Sequence, residues 1–142
     1  DADLVVTLTP SRKPLLDDAW LGVGVHINAM GADAPGKQEL DPRILGRAKI
    51  VVDDVEQCSY SGEINIPLSR GIISKDNVYG EIGEIIVGRK PGRTSEDEIT
   101  VFASTGLSIQ DIAVAELVYR KAVKEGLGME VDLGGLQPSS YP

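Results

Sequence analysis

The stretch Val25–Asp53, VHINAMGADAPGKQELDPRILGRAKIVVD, decides the fold. It begins and ends with short apolar runs, at 25–29 and 49–53, that are typical of buried β-strands. Between the two runs, Asp41 is placed to cap a short helix that begins at Pro42. A strand, a helix and a second strand in series predict a βαβ unit. We therefore expect an α/β fold with a parallel sheet.

Two further apolar runs, at 4–8 and 99–103, extend the predicted sheet. The intervening segment 54–98 is less regular and contains short helical pieces that glycines and prolines interrupt. The clearest helix of the chain follows, because its apolar residues recur at helical spacing. We predict that Ser108 is its N-cap and that Gly126 lies just after its last turn.

Composition and charge narrow the class of protein. The 142 residues, of which 42% are hydrophobic, suffice for one domain with a core. The formal charge of −8 argues against a nucleic-acid partner or an anionic membrane surface, since both need a basic face. No apolar run approaches the roughly 20 residues of a membrane span. The single cysteine, Cys58, excludes an internal disulfide, and we expect a cytoplasmic protein.

Three polar loops follow three of the predicted strands, at 9–12, 30–37 and 104–107. Ligands of parallel α/β sheets bind beyond the carboxyl ends of the strands, so the three loops are expected to share one edge. Their Thr, Ser and Gly residues and backbone amides suit a ligand that needs many hydrogen-bond donors, such as a nucleotide. The alternative interpretation is a set of ordinary turns.

Asp33 and Lys37 stand on the middle loop, among glycine, alanine and proline. The Asp33 carboxylate could cap a turn, act as a general base, or form an exposed ion pair with Lys37 that contributes little to stability. The small residues around Asp33 would let a flat ligand ring approach the backbone. Lys37 could present a point charge to a phosphate or a ribose.

Other polar residues are weaker candidates. His26 is the only histidine, and its place in a strand predicts a packed or hydrogen-bonded side chain, not a catalyst. Cys58 is expected to be a small residue of a helix or turn. The acidic residues at 53–56 are typical of a helix N-terminus. No spacing of residues typical of a metal site is found.

Five stretches together resemble the ornithine cyclodeaminase/μ-crystallin family. They are INAMGADAPGKQELD (27–41), VVDDVEQ (51–57), GEINIPLS (62–69), GEIGEIIVGRKPGRTSEDEITVF (80–102) and STGLSIQDIAVA (104–115). The combination is most similar to the archaeal alanine dehydrogenase branch of that family and extends over about residues 3–131.

The resemblance implies a Rossmann NAD(P) domain and a separate dimerisation and substrate domain in a homodimer. Residues 1–107 would be the second half of the Rossmann domain, and 108–133 a helix and a final strand (129–133) that return to the other domain. Residues 134–142 would be a flexible tail. The glycine-rich turn of the first half is absent, because the GVG at 22–24 precedes a strand and lacks a third glycine. We therefore expect that an N-terminal part of the protein is missing and that the fragment alone is inactive.

The resemblance also implies roles for individual residues. Asp33 matches the catalytic aspartate of the cyclodeaminases, and Thr105 matches a residue that can touch the substrate. The matches to cofactor-contacting residues are Thr9, Met30, Gly31, Ala32, Lys37 and Ser104. One departure is visible, since family members often carry an acidic residue where this chain has Ala103.

The implied reaction is the NAD(P)-dependent oxidation of a small L-amino acid, alanine, to an imine and then to pyruvate and ammonia. Asp33 would orient or deprotonate the attacking water. Two alternatives remain open: an ornithine cyclodeaminase that forms proline and ammonia, and a non-catalytic binding protein similar to μ-crystallin. The choice of NAD or NADP is set by a ribose-binding residue outside this sequence.

Overall fold

The computed structural model describes residues 2–129 and 131, in two compact units that divide after Leu107 and are described separately. The strands are β1 (Leu4–Thr7), β2 (Arg12–Leu16), β3 (His26–Ala29), β4 (Gln38–Leu40), β5 (Lys49–Val52), β6 (Val78–Glu81) and β7 (Thr100–Ala103). The helices are α1 (Pro42–Arg47), α2 (Val55–Ser61), α3 (Asn65–Ser69), α4 (Ile82–Ile86) and α5 (Ser108–Glu125), with 3₁₀ turns at Asp18–Trp20 and Lys75–Asn77.

The first unit contains a five-stranded parallel sheet with the strand order β1-β3-β7-β5-β6. Thr7 pairs with Ala29, and Ala103 pairs with both Ala29 and Val52, so four strands end in register. The predicted parallel sheet is therefore confirmed. It also follows that the loops after β1, β3 and β7 leave from one edge of the sheet, as predicted.

The core lies on one face of this sheet. Alternate residues of the three central strands are buried there: Ile27, Ala29, Ile50, Val52, Val101 and Ala103. Ile44 and Leu45 of α1 pack in the same cluster. The predicted N-cap of α1 is confirmed, since the Asp41 carboxylate accepts a hydrogen bond from the Arg43 amide.

Three strands were not predicted. β2 and β4 pair in parallel as a separate two-stranded sheet, and β6 forms an edge of the main sheet. β2 overlaps the end of the polar loop predicted at 9–12 and was not predicted, because Lys13 and Pro14 interrupt any apolar alternation and most of its residues are exposed. β6 contains Gly80 and is only half-buried, so its strand character depends on its pairing with β5.

The second unit consists of α5 and the residues after it. Ser108 is the first helical residue and not the N-cap, so that prediction was wrong by one position. Gly126 is confirmed as the residue that ends the helix: its φ is +66°, its amide bonds Val123 O, and the Leu127 amide bonds Ala122 O. No helix in the described part of the chain is long and apolar enough to cross a membrane.

The strand predicted at 129–133 is not formed by its described residues. Met129 and Val131 lie in no strand. The other residues of that segment, and the predicted tail at 134–142, lie outside the described residues.

Candidate functional site

The candidate site is the edge of the main sheet where three loops meet, at 8–11, 30–37 and 104–107. We call these loops the rim. The strand ladder continues into the rim, because the Met30 amide donates to Thr7 O and the Ser104 amide donates to Ala29 O. A β-carbon at Gly31 would collide with the backbone of Thr9. The structure thus brings Thr9 and Gly31 into direct contact.

A buried carboxylate, Glu39 of β4, joins the first two rim loops. Its Oε1 accepts the Thr9 amide at 2.6 Å and its Oε2 accepts the Gly31 amide at 3.0 Å. The side chain has no exposed surface. Glu39 therefore holds together two loops that the sequence separates by about twenty residues.

A second buried carboxylate supports the first. Glu63, at the start of the GEIN stretch, accepts hydrogen bonds from the Glu39 amide at 3.0 Å and the Leu40 amide at 2.7 Å. Burial raises the pKa of Glu63 to about 8, although the hydrogen bonds from the two amides act in the opposite direction. Glu63 thus fixes the backbone of the short strand that carries Glu39.

The third rim loop is held by Asp53, which directly follows β5. One oxygen of Asp53 accepts hydrogen bonds from Ser104 Oγ and from the amides of Thr105 and Gly106, at 2.8–2.9 Å. Burial by itself raises the pKa of Asp53, but the hydrogen bonds that it accepts from Cys58, Ser104 and the rim amides outweigh burial and hold that pKa below its ordinary value. Asp53 therefore stays ionised and keeps its acceptor role.

The residues that follow Asp53 act on the same loop and on α2. Asp54 caps α2 by accepting the Gln57 amide at 2.7 Å, which confirms the helix N-terminus predicted at 53–56. The Gln57 side chain donates to Thr105 Oγ1 and to Gly106 O, each at 2.9 Å. Loop 104–107 is consequently fixed from two sides.

The middle loop is held by Asn65 of α3. Asn65 Nδ2 donates a hydrogen bond to Lys37 O at 3.0 Å, and Asn65 Oδ1 accepts one from the backbone amide of Gly36 at 3.2 Å. The Arg12 guanidinium adds a bond to Pro35 O at 3.3 Å. The Ala/Gly/Pro sequence of this loop is thus fixed in place by neighbours outside it.

Asp33 and Lys37 form an ion pair within the middle loop. The Asp33 side chain is 57% exposed and that of Lys37 is 19% exposed. The hydrogen bond from the Lys37 ammonium holds the pKa of Asp33 below its ordinary value. The exposed ion pair considered from the sequence is therefore formed, and it leaves an ionised, accessible carboxylate on the rim, which is the state that a general base requires.

The remaining predicted site residues differ in their exposure. Met30 and Thr105 are half-buried, whereas Ala32 and Ser104 are buried. Because Glu39 and Asp53 already occupy the amides of Thr9, Gly31, Thr105 and Gly106, the rim offers a ligand fewer free donors than the sequence indicated.

His26 and Cys58, which the sequence predicts to be structural residues, both hydrogen-bond neighbouring side chains. His26 hydrogen-bonds Thr100 Oγ1 at 2.7 Å and Asn28 Oδ1 at 3.2 Å, so it is a hydrogen-bonded strand residue as predicted. Cys58 lies in α2, and burial together with the neighbouring Asp53 raises the pKa of its thiol to about 12. The Cys58 thiol is consequently unreactive at neutral pH.

Sequence reasoning missed the side chains that hold the rim, namely Glu39, Asp53, Gln57, Glu63 and Asn65. The sequence carries no local signal for these roles, because each side chain bonds a partner at least 24 positions away in the chain. Buried polar groups need hydrogen-bond partners; for the buried Glu39, Asp53 and Asn65 these are rim amides, hydroxyls and carbonyls, and for Glu63 they are amides of β4.

The parallel sheet and its polar rim define a Rossmann-type nucleotide-binding fold. The sequence model of the ornithine cyclodeaminase/mu-crystallin family matches residues 1–126, and the chain belongs to that family. Among curated relatives, an alanine dehydrogenase of Archaeoglobus fulgidus is 55% identical over 129 residues, which is 91% of this chain and 40% of the relative. The chain thus spans about 40% of the length of the curated relatives that it matches.

Solved structures agree with this assignment. An archaeal alanine dehydrogenase dimer with bound NAD superposes with a TM-score of 0.85 at 54% identity, over 92% of this chain and 41% of that one. The Δ1-pyrroline-2-carboxylate reductase of Thermococcus litoralis, in complex with NADH and L-proline, gives a TM-score of 0.86 at 36% identity, again over 92% and 41% of the two chains.

Proposed function

We propose that this chain is part of an NAD(P)-dependent enzyme that oxidises L-alanine to pyruvate and ammonia through an imine. The observation that carries the proposal is the position of Asp33, an exposed and ionised carboxylate on the rim of a Rossmann-type sheet. The 55% identity to an archaeal alanine dehydrogenase supports this choice of substrate.

The rim residues fit a dinucleotide. Thr7 Oγ1 and Gln38 Nε2 are buried polar atoms with no partner among the described residues, and they adjoin the first and second rim loops. A polar ligand would satisfy such atoms. We propose that the cofactor is held by the residues that the family resemblance indicated: Thr9, Met30, Gly31, Ala32, Lys37 and Ser104.

The chemistry follows from what these residues can do. The nicotinamide, when bound, supplies the hydride acceptor. Asp33 then orients the water that attacks the imine carbon and accepts its proton, because its pKa keeps it ionised at neutral pH. Lys37 orients the Asp33 carboxylate through their ion pair, and Thr105, held by Asp53 and Gln57, contacts the substrate.

Replacing Asp33 with Asn tests the proposal in the full-length protein. We expect kcat for alanine oxidation, followed by NADH absorbance, to fall by about 100-fold or more, since a positioned base contributes at least that factor. The affinity for NADH should change little, because Asn is isosteric. Asp76→Asn, at an exposed turn away from the rim, is the control and should leave kcat unchanged. Full activity of Asp33→Asn would remove Asp33 from the mechanism.

A reductase of cyclic imines is the second candidate, because the Thermococcus litoralis enzyme superposes as well as the alanine dehydrogenase does. A panel of alanine, ornithine and Δ1-pyrroline-2-carboxylate separates the possibilities. Net NADH formation with alanine supports the dehydrogenase. NADH consumption with the cyclic imine supports the reductase, and proline with ammonia but no net NADH supports a cyclodeaminase. Nucleotide binding without turnover of any of the three indicates a binding protein.

We also propose that residues 1–107 form the second half of the cofactor domain and that 108–133 lead to a separate substrate and dimerisation domain. Large apolar residues of α5 are exposed, including Ile112 and Leu117, which is typical of a helix that packs elsewhere in an assembly. An archaeal relative is a dimer, which supports a homodimer here.

A further inference from the structure

The pair of buried carboxylates under the rim has no role in the reaction described above. Glu39 and Glu63 are 0% and 1% exposed. Neither forms an ion pair within the described residues, and each bonds backbone amides. Burying a carboxyl group is costly, and here the cost is offset by two backbone amides that would otherwise lack an acceptor.

We infer that Glu39, supported by Glu63, is a positioning residue that fixes the spacing between rim loops 8–11 and 30–37 and thereby places Asp33 for the reaction. This inference rests on the proposed function for its catalytic part. Its structural part, the spacing of the loops, can be tested independently.

Glu39 bonds two backbone amides at once, which suits the two acceptor oxygens of a carboxylate. Its two oxygens accept two amides from different loops, at Thr9 and at Gly31. The absence of a side chain at Gly31 allows this arrangement, since a β-carbon there would lie 2.5 Å from Glu39 Oε2. A glutamine at position 39 has one oxygen only, and its NH₂ group would face the second amide, donor against donor. Glu39→Gln therefore breaks one of the two bonds while it preserves shape.

The backbone couples Asp33 to the two hydrogen bonds that Glu39 accepts. The Asp33 amide donates to Gly31 O at 3.2 Å, so a movement of Gly31 is passed to Asp33. Glu63 accepts hydrogen bonds from the amides of Glu39 and Leu40, and these bonds hold the backbone of Glu39 in place. The far end of the middle loop is fixed separately by Asn65.

The test compares Glu39→Gln with Glu98→Gln in the full-length protein. Glu98 is a matched control, because it also accepts a backbone amide, from Thr94, and pairs with Lys49, but it precedes β7 at the opposite end of that strand from the rim. For Glu39→Gln we expect kcat to fall by about 10- to 100-fold, as a displacement of roughly 1 Å can cost. The KM for NAD should rise as well, because Thr9 and Gly31 are among the residues proposed to hold the cofactor, whereas Glu98→Gln should retain both kcat and KM.

Hydrogen exchange of the 142-residue chain provides the independent readout. We expect amide exchange in 30–37 to accelerate about tenfold or more in Glu39→Gln, with 104–107 unchanged because Asp53 holds that loop. Glu63→Gln should likewise accelerate amide exchange in 30–37. Unchanged exchange in both variants would overturn the inference, as would accelerated exchange with an unchanged kcat in an active enzyme. If the wild-type protein lacks amino-acid oxidation altogether, the proposed function fails, and the exchange result alone decides the spacing role.

Discussion

The buried carboxyl groups Glu39, Asp53 and Glu63 bond backbone amides, whereas the exposed Asp33 on the rim pairs with the cation Lys37. Glu39, Asp53 and Glu63 are buried, and together they accept amides from both outer rim loops and from β4. For Asp53, which stays ionised, these hydrogen bonds are stronger than bonds to a neutral acceptor, whereas Glu63, whose pKa burial raises to about 8, holds a proton at neutral pH. Part of the acidic character of the chain is therefore used in its interior.

The raised pKa of Glu63 predicts a measurable pH dependence of stability. The group has a pKa of about 8 in the folded chain and an ordinary value of 4.5 when unfolded. Between those values the folded chain holds a proton that the unfolded chain has lost, so the free energy of unfolding decreases as pH rises from about 5 to 8. We expect a decrease on the order of a few kcal/mol in urea titrations.

Glu63→Gln checks the assignment, because it cannot titrate. Its free energy of unfolding should depend less on pH over this range, whereas Glu96→Gln, at an exposed turn, should follow the wild type. Parallel curves for the wild type and Glu63→Gln would show that Glu63 titrates normally.

At the residue level, the sequence indicated side chains whose roles are local and missed those with distant partners. His26 could be judged from its place in a strand, and Asp54 from the helix after it. Glu39 and Asp53 could not be judged, because Glu39 joins Gly31 to Thr9, which lies 30 positions away, and Asp53 bonds rim groups 51–53 positions away. Only the folded topology reveals why a carboxylate is tolerated there.

The same difference between local and distant contacts separates the strands and helices that could be predicted from those that could not. The strands β3, β5 and β7 were predictable because continuous apolar runs identify strands buried in a parallel sheet. β1 lies at an edge with half of its residues exposed, and its run of aliphatic residues made it predictable. Helix α1 was predictable from its cap and its first-turn proline. β2, β4 and β6 were not, because they are short edge or satellite strands whose identity depends on pairing. The rim could therefore be located from sequence, but not the strand β4 that supports it.

Two adjacent aspartates after β5 support different elements, and this difference can be measured. Asp53→Asn should destabilise the chain by about 2–4 kcal/mol, since an amide nitrogen would face donors that now bond a carboxylate. Asp54→Asn should cost less than about 0.5 kcal/mol, because Asn caps a helix about as well as Asp. Urea unfolding at neutral pH compares them. An equal decrease in the free energy of unfolding for the two variants would contradict the separate roles of loop support and helix cap.

On the scale of the whole molecule, stability is concentrated in the first unit. Among the described residues, the hydrophobic core lies between Val25 and Ala103, and the partly buried residues packed against it also precede Leu107. The buried carboxylates and their partners belong to the same unit. These observations predict that residues 1–107 fold without the segment that follows.

Truncation after Leu107 tests this prediction. We expect the shortened chain to unfold cooperatively, with a urea midpoint close to that of the 142-residue chain, because none of the core residues that the structure describes is removed. Helical circular dichroism should decrease by the contribution of α5, which has 18 residues. The control is an internal truncation before β7, which removes Val101 and Ala103 from the core and should abolish the transition. Loss of cooperative unfolding after removal of 108–142 alone would mean that the first unit depends on the second, and the proposed boundary at 107 would have to be abandoned.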